Sequence, residues 1–293
     1  MFKNIPIPPS FSLFKKGKVF LLLKDRYQEP LLKAGIENIE TYLSRRKQEA
    51  RTVSGRRAHL SVPIGNEERM IVRHYSHGGL LDFLTRDLYW LGSRSFRELA
   101  LTEEIRARGI PTICCIGAIH QPVFPFFYRA YLLTREFPRA RNLVEYLSEA
   151  GPLAHRESLS LKRKILRDAG LMLRRFHDAG FFHADLQLKN LMVVDGQVNL
   201  IDFDRSYRKQ SLSQKERMDN LLRLNRSADK WKLKGLPITR TDRWRFFLAY
   251  EGKDEEIRKS LRKAMRHYSM RLSIHRIFWT IGGFKESRVQ RFK

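Results

Sequence analysis

Apolar residues recur at three-to-four spacing at Leu161, Ile165, Leu166, Ala169, Leu173 and Phe176, which predicts one long helix over 160–178, ended by Gly180. Upstream the period shortens to that of strands. Residues 52–63 predict two strands around a turn at Gly55, 70–75 a strand ending in a cation, and 130–134 another strand. Between them, Ser93 or Ser95 can cap a helix running to about Arg108, with Gly109 and Pro111 to stop it. The charged stretch 36–48 reads as a short helix, and 1–30 as an irregular or hairpin-forming lead-in. A connector over 135–141 contains Pro138. Two apolar runs, 191–194 and 198–201, flank Asp195-Gly196, a strong signal for a tight hairpin. After Asp204 the pattern is helical again and no internal repeat is evident. The expected class is α+β, with a strand-rich part over 1–135 and a mainly helical part over 136–293.

The hairpin carries candidate chemistry on both sides. His183, Asp185 and Asn190 stand at H-x-D-x-x-x-x-N spacing, and Asp202 follows the second apolar run. This is the layout of a kinase-like catalytic loop and its metal-binding acid. Phosphoryl transfer to a hydroxyl needs positioning and charge neutralisation more than covalent chemistry. Asp185 is the candidate base for the acceptor hydroxyl. Asn190 and Asp202 supply oxygen donors of the kind Mg2+ takes. His183 is read as a brace for the loop. Asp204 is read as a loop carboxylate, with a second metal ligand as the alternative.

A kinase site also needs a cover for the phosphates, a cation on them and an acid to hold that cation. Gly55 is the candidate for the cover, though a single glycine is also what an ordinary hairpin needs. Arg73, at its strand end, is the candidate cation; its planar fork can grip a phosphate in two places. Glu98 on the following helix is the candidate partner for Arg73, with Glu103 or Glu104 as substitutes. Glu136 sits where the connector would pass an adenine, or is a plain linker carboxylate.

Composition narrows the setting. The chain has 293 residues, 42% of them hydrophobic, enough for a sizeable core. A net charge of +26 points to an anionic partner: nucleic acid, an acidic membrane surface or a phosphorylated substrate. The two cysteines, Cys114 and Cys115, are neighbours and form no readable disulfide framework, which suits a reducing compartment. Residues 1–12 carry Pro6, Pro8 and Pro9 without a long apolar core, so a signal peptide is not expected. The run Val19–Leu23 is too short to span a bilayer, so membrane contact is expected only from the surface. The basic stretch 257–281 mixes apolar residues with cations and reads either as an interfacial helix or as the closure of the helical core.

With these parts in place the chain resembles the lipopolysaccharide core kinases, the Kdo/heptose (WaaP-like) family. The residues that carry the likeness are Gly55-Arg56-Arg57, the run from Ile71 to Gly79 with Arg73-His74-Tyr75 and Gly78-Gly79, Phe96-Arg97-Glu98, His183-Ala184-Asp185 with Asn190, and 200–205. Thr241-Asp242-Arg243, Phe246-Phe247 and Tyr250 extend it. The Arg-His-Tyr-x-x-Gly-Gly run looks most like the Kdo kinase branch. The resemblance implies a protein-kinase-like two-lobe fold with ATP in the cleft. It implies Mg2+- and ATP-dependent phosphorylation of an inner-core sugar hydroxyl, Kdo or else heptose, on a lipid A-linked acceptor. It also implies a peripheral location on the cytoplasmic face of the inner membrane; no obligate protein partner is readable in the sequence.

Two other functions compete. A kinase of another class would act on a protein or small molecule, but no Ala-Pro-Glu follows Asp202 to close an activation segment. A basic nucleic-acid-binding protein would suit the charge, yet no such motif is present and Asp185, Asn190 and Asp202 would go unexplained.

Overall fold

Alternation along the strands decides which side chains meet, because successive residues point to opposite faces. In the computed structural model the described residues are 5–53, 59–65, 67–75, 88–90, 92–124, 127–149 and 156–268. Gly55, Ser76-His77, Gly78-Gly79 and the tail from 269 lie outside them. The first half forms an eight-stranded antiparallel sheet in the order β1-β2-β7-β8-β5-β4-β3, with β6 also paired to β8. The strands are β1 (Phe11–Lys16), β2 (Val19–Lys24), β3 (Arg51–Val53), β4 (His59–Gly65), β5 (Glu68–His74), β6 (Tyr89–Trp90), β7 (Cys115–Phe124) and β8 (Phe127–Arg135).

Helices cover both faces of this sheet. On one face Leu21, Leu23, Met70, Val72, Tyr131 and Leu133 pack with Tyr27 and Leu31 of α1 (Asp25–Lys33) and Ile39 and Tyr42 of α2 (Ile39–Arg45). On the other, Leu22, Ala130, Leu132 and Tyr75 pack with Phe96 and Leu99 of α3 (Arg94–Ala107). Because Met70 and Val72 face α1 and α2, Arg73 and Tyr75 must face α3. That parity brings Arg73 to Glu98. Ser93 caps α3, its Oγ accepting from Phe96 N at 3.4 Å.

The second half is mainly helical. Its helices are α4 (Leu143–Glu149), α5 (Arg156–Asp178), α6 (Gln214–Leu233) and α7 (Arg240–Glu251), followed by helix over 255–268. Gly170 lets α5 and α7 touch: a Cβ there would lie 2.4 Å from Phe246 O. The short strands are β9 (Arg141–Asn142), β10 (Phe181–Phe182), β11 (Leu191–Val194), β12 (Gln197–Leu200) and β13 (Tyr207–Arg208). The hairpin β11–β12 turns on Asp195 and Gly196, both at positive φ (46° and 74°), with Val194 paired to Gln197. This is the tight turn that Asp-Gly favours.

Lys162 and Asp242 form a buried ion pair at 2.7 Å, and Lys162 Nζ also donates to Pro237 O at 2.8 Å. Asp242 closes a capping box with Thr239 at the start of α7. The Asp-Arg-x-x-Phe element noted in the sequence thus pins α7 to α5 within the helical core, where Phe246 is also buried. Ile257 and Leu261 belong to that same core, and Tyr268 Oη donates to Asp229 Oδ2 at 2.6 Å. The described part of 257–281 therefore closes the core; the rest lies outside the described residues.

Several elements depart from expectation. The lead-in is a hairpin, but α1 follows it where no helix is expected. β7 spans ten residues where the sequence offers only scattered apolar signals. Gly117 and Pro122 interrupt that signal, and the register shifts near both.

Candidate active site

A short junction aligns the two halves. Leu200 N donates to Pro111 O at 3.0 Å, and Thr112 Oγ1 donates to Leu200 O at 2.6 Å. The segment leaving α3 is thereby stitched to the end of β12, two residues before Asp202. Asp202 itself adopts φ of 67°, a left-handed conformation that is uncommon for a non-glycine residue.

Arg73 occupies the meeting point. Its Nη1 donates to Glu98 Oε1 at 2.9 Å and its Nη2 to Asp202 Oδ1 at 2.7 Å. Glu98 is the acid that holds Arg73, as expected. The alternatives are engaged elsewhere: Glu103 with Lys24 and Arg106, Glu104 with Arg108 and Arg208. The bridge from Arg73 to Asp202 was not anticipated. Tyr75 Oη donates to the second oxygen of Glu98, and the Tyr75 ring lies 5.0 Å from the Arg73 guanidinium.

Burial pushes the Glu98 carboxyl up to about 7; Asp202 and Asp204 add to the rise, while Arg73 and the Tyr75 hydroxyl oppose it. Burial would lower Arg73, but Glu98, Tyr75 and Asp202 outweigh it and hold the guanidinium firmly charged. Burial, then the repulsion from Arg73, lowers nearby His59 below its ordinary value.

The loop 183–190 is fixed mostly through its backbone. His183 Nδ1 accepts from Asp185 N at 3.1 Å and its Nε2 lies 3.0 Å from Ile201 O. A ring that accepts at Nδ1 and donates at Nε2 is the neutral tautomer, and burial lowers the His183 pKa in the same sense. His183 is a brace, as expected. Asn190 Nδ2 donates to Asp185 O at 2.8 Å, and Ile201 N donates to Asn190 O at 3.0 Å. These bonds tie Asp185, Asn190 and the approach to Asp202 into one knot. Asp185 Oδ2 accepts from Gln187 at 2.8 Å.

Asp204 is engaged by both arms of Arg94 at the start of α3, with Nε at 3.0 Å from Oδ1 and Nη2 on Oδ2. That use favours the loop-carboxylate reading of Asp204. Glu136 lies at the end of β8, with Arg69 Nε at 3.3 Å and the Ser61 hydroxyl donating to it, so its carboxylate is tied into the sheet. Gly55 lies outside the described residues.

Sequence reasoning placed Tyr75 in the run that carries the family likeness but gave it no role, and it missed Arg94 and the polar residues of α6. A role for Tyr75 was findable, since it stands two residues past Arg73 on the same face of β5 and its continuation. Asn220, wholly buried among Leu221 and Leu224, was findable as a polar interruption of an apolar stripe. Arg94 carries no signal beyond its place beside Ser93.

An arginine anchored by a buried acid and bonded to Asp202, with the neighbouring Ile201 tied through Asn190 to the Asp185 loop, suits the handling of phosphoryl groups. Residues 42–250 match the model of the lipopolysaccharide kinase (Kdo/WaaP) family, so the chain belongs to that family and to its class, phosphotransferases acting on a sugar hydroxyl. A 3-deoxy-D-manno-octulosonic acid kinase of Photobacterium damsela subsp. piscicida is 31% identical over 62% of this chain and 73% of its own length. Its counterpart in Vibrio cholerae is 37% identical over 54% of this chain and 65% of its own. One from Xanthomonas campestris pv. campestris is 34% identical, over 60% and 66%. The solved structure of WaaP in complex with acyl carrier protein shares the fold, with a TM-score of 0.55 and 16% identity over 85% of this chain and 98% of that one.

Proposed function

We propose that the protein transfers the terminal phosphoryl group of ATP to a hydroxyl of Kdo, in the lipopolysaccharide inner core, on a lipid A-linked acceptor. The observation that carries this reading is the bridge of Arg73 to both Glu98 and Asp202. It draws the phosphate-binding cation, its buried anchor and the metal-binding acid to one point. The names of the curated relatives favour Kdo over heptose as the acceptor.

In this reading the sheet with α1–α3 is the N-lobe of a protein-kinase-like fold, residues 1–135, and the helical remainder, 136–293, is the C-lobe. The end of β8 at Arg135 supports that boundary. Arg73 binds the phosphates, and Glu98 with Tyr75 fixes where its guanidinium points. Asp185 accepts the proton of the attacking hydroxyl. Its loop is rigid because His183, Asn190 and the α6 side chains hold the backbone, so the carboxylate is positioned before substrate arrives. Gly55 is assigned to the phosphate cover and Glu136 to the adenine side.

The donor set fits a magnesium ion. The Asn190 amide nitrogen is committed to Asp185 O, which leaves its oxygen as donor, and only one Asp202 oxygen is bonded to Arg73. Among the described residues no three His, Cys, Asp or Glu cluster as a metal site. Mg2+ does not require that, since one or two protein oxygens with phosphate and water oxygens complete its shell. Asn190 and Asp202 would hold it, and it would neutralise charge on the phosphates.

No helix among the described residues is long and apolar enough to cross a membrane. The acceptor is a lipid, so the charge of +26 is read as the means of approach to an anionic inner leaflet from the cytoplasmic side. Incubation with Mg-ATP and separate Kdo-terminated and heptose-terminated lipid A acceptors tests the reading. Phosphate on the Kdo ring, located by fragment-ion mass spectrometry, supports it; phosphate on heptose alone, or on a protein or free small molecule, overturns the assignment of Kdo.

A further inference from the structure

Helix α6 grips the loop 183–190 in successive rungs. Asn220 exchanges two hydrogen bonds with the His183 backbone, each of 3.0 Å. Ser227 Oγ accepts from Leu188 N at 3.1 Å. Lys189 Nζ lies 5.2 Å from the centre of the Trp231 ring. Residues 220, 223, 227 and 231 share one stripe of a helix, and the remaining rung is Arg223 beside Asp185.

That rung differs from its neighbours. Arg223 Nη1 is 3.5 Å from Asp185 Oδ1, the outer limit of a hydrogen bond. The two side chains are 44% and 41% exposed. A pair so open and so long contributes little to folding. Three nearby cations are committed elsewhere: Arg217 to Asp178 at 2.6 Å, Arg243 to Asp229 at 2.6 Å and Lys189 to the Trp231 ring. Among the described residues Arg223 makes only this loose contact, and it makes it with the carboxylate assigned to the acceptor hydroxyl.

Resting on the function proposed above, the acceptor is an acidic sugar, with a carboxylate and the reacting hydroxyl on one small ring. If the hydroxyl faces Asp185, the carboxylate needs a cation within a few ångströms. We infer that Arg223 binds the carboxylate of the acceptor sugar and makes the enzyme selective for an acidic sugar over a neutral one of similar size. The guanidinium fork matches a carboxylate in two parallel hydrogen bonds. Engagement of the substrate draws the fork off Asp185 Oδ1, which leaves that oxygen to the hydroxyl proton. Before substrate binds, the same cation offsets the charge of Asp185. One residue thus couples occupancy by an acid to release of the base.

The test compares Kdo-lipid A with its carboxamide analogue, on wild type and on Arg223→Gln and Arg223→Lys, with thermal unfolding to confirm that each variant folds. Wild type should favour the acid in kcat/KM by roughly 10- to 100-fold, the factor for hydrogen bonds to a charged group. Arg223→Gln should lose that factor on the acid and little on the amide, and Arg223→Lys should retain part of the preference. Equal loss by Arg223→Gln on both acceptors would reduce Arg223 to a neighbour of Asp185 and overturn the inference while leaving the Kdo reading intact. So would a wild type that treats acid and amide alike. Wild type inactive on both acceptors would overturn the Kdo reading, and the inference with it.

Discussion

The guanidinium of Arg73 and the carboxylate of Asp202 lie 2.7 Å apart although 129 residues separate them in the chain. Arg73 is fixed by the parity of β5 and by Glu98, Asp202 by the end of a hairpin sewn to the segment after α3. Their contact therefore depends on both halves of the protein being folded and aligned. Arg73→Ala should lower kcat by about 100- to 1,000-fold, as removal of a preorganised charge-stabilising donor does. Folding should suffer less, because Glu98, already raised to about 7, can take up a proton once its partner is gone. Arg73→Lys should recover only part of the rate, since an ammonium has no fork to span Glu98 and Asp202. Steady-state kinetics beside thermal unfolding separates the two effects.

Glu98 gives the enzyme a pH signature. It anchors Arg73 best when ionised, so activity should rise as pH increases through about 7. Stability should change in the opposite direction. The folded value lies above the ordinary 4.5, so the folded protein binds more protons. This contribution to stability is complete below the unfolded value and is lost as pH rises through the folded one, at no more than about 1.4 kcal/mol per pH unit.

Tyr75→Phe removes the hydroxyl that favours the charged form of Glu98. The acidic limb of the pH–kcat profile should move to higher pH, and the loss of rate should shrink in alkaline buffer. A uniform loss at every pH would mean that Tyr75 acts only by packing.

The pair Lys162–Asp242 should matter for stability alone. Its side chains are 8% and 6% exposed, and breaking such a buried pair costs about 3–5 kcal/mol. Lys162→Met should lower Tm by on the order of 10 °C. Asp242→Ala should cost up to about 1 kcal/mol more, because it also removes the half of the α7 capping box that accepts from Thr239 N, while the Thr239 cap itself remains. Calorimetry on the purified variants measures both.

Membrane contact can be tested without disturbing the core. Ile257 and Leu261 are buried, so a truncation at 256 would damage the fold, whereas one after Tyr268 removes only the basic tail. The truncated protein should keep its Tm and sediment less with vesicles containing anionic lipid. The binding that remains should weaken as salt rises from about 0.05 to about 0.5 M, because the screening length falls from roughly 14 Å to roughly 4 Å. Undiminished sedimentation would rule out the tail as an anchor.

Much of this site was legible because its residues stand next to strong local signals. Asp185 and Asn190 share a loop beside an Asp-Gly hairpin, and Asp202 ends an apolar run. Arg73 and Glu98 follow from one strand and one capped helix. What was hidden depends on distance in the chain. No local pattern tells that Arg94 reaches Asp204, or that Arg223 on a generally basic helix faces Asp185. β7 was missed for a related reason: its glycine, histidine and proline weaken the alternation, and its place between β2 and β8 sustains the strand.

The central claim is that Asp185, Asn190, Asp202 and Arg73 form one site that phosphorylates a lipid-linked acidic sugar. Its most direct test is mass spectrometry of Kdo-lipid A after incubation with Mg-ATP and either wild type or Asp185→Ala. The account predicts a gain of one phosphoryl group with wild type and a rate lower by about 100- to 10,000-fold with the variant. Equal phosphorylation by both proteins, or none by a folded wild type, would contradict it.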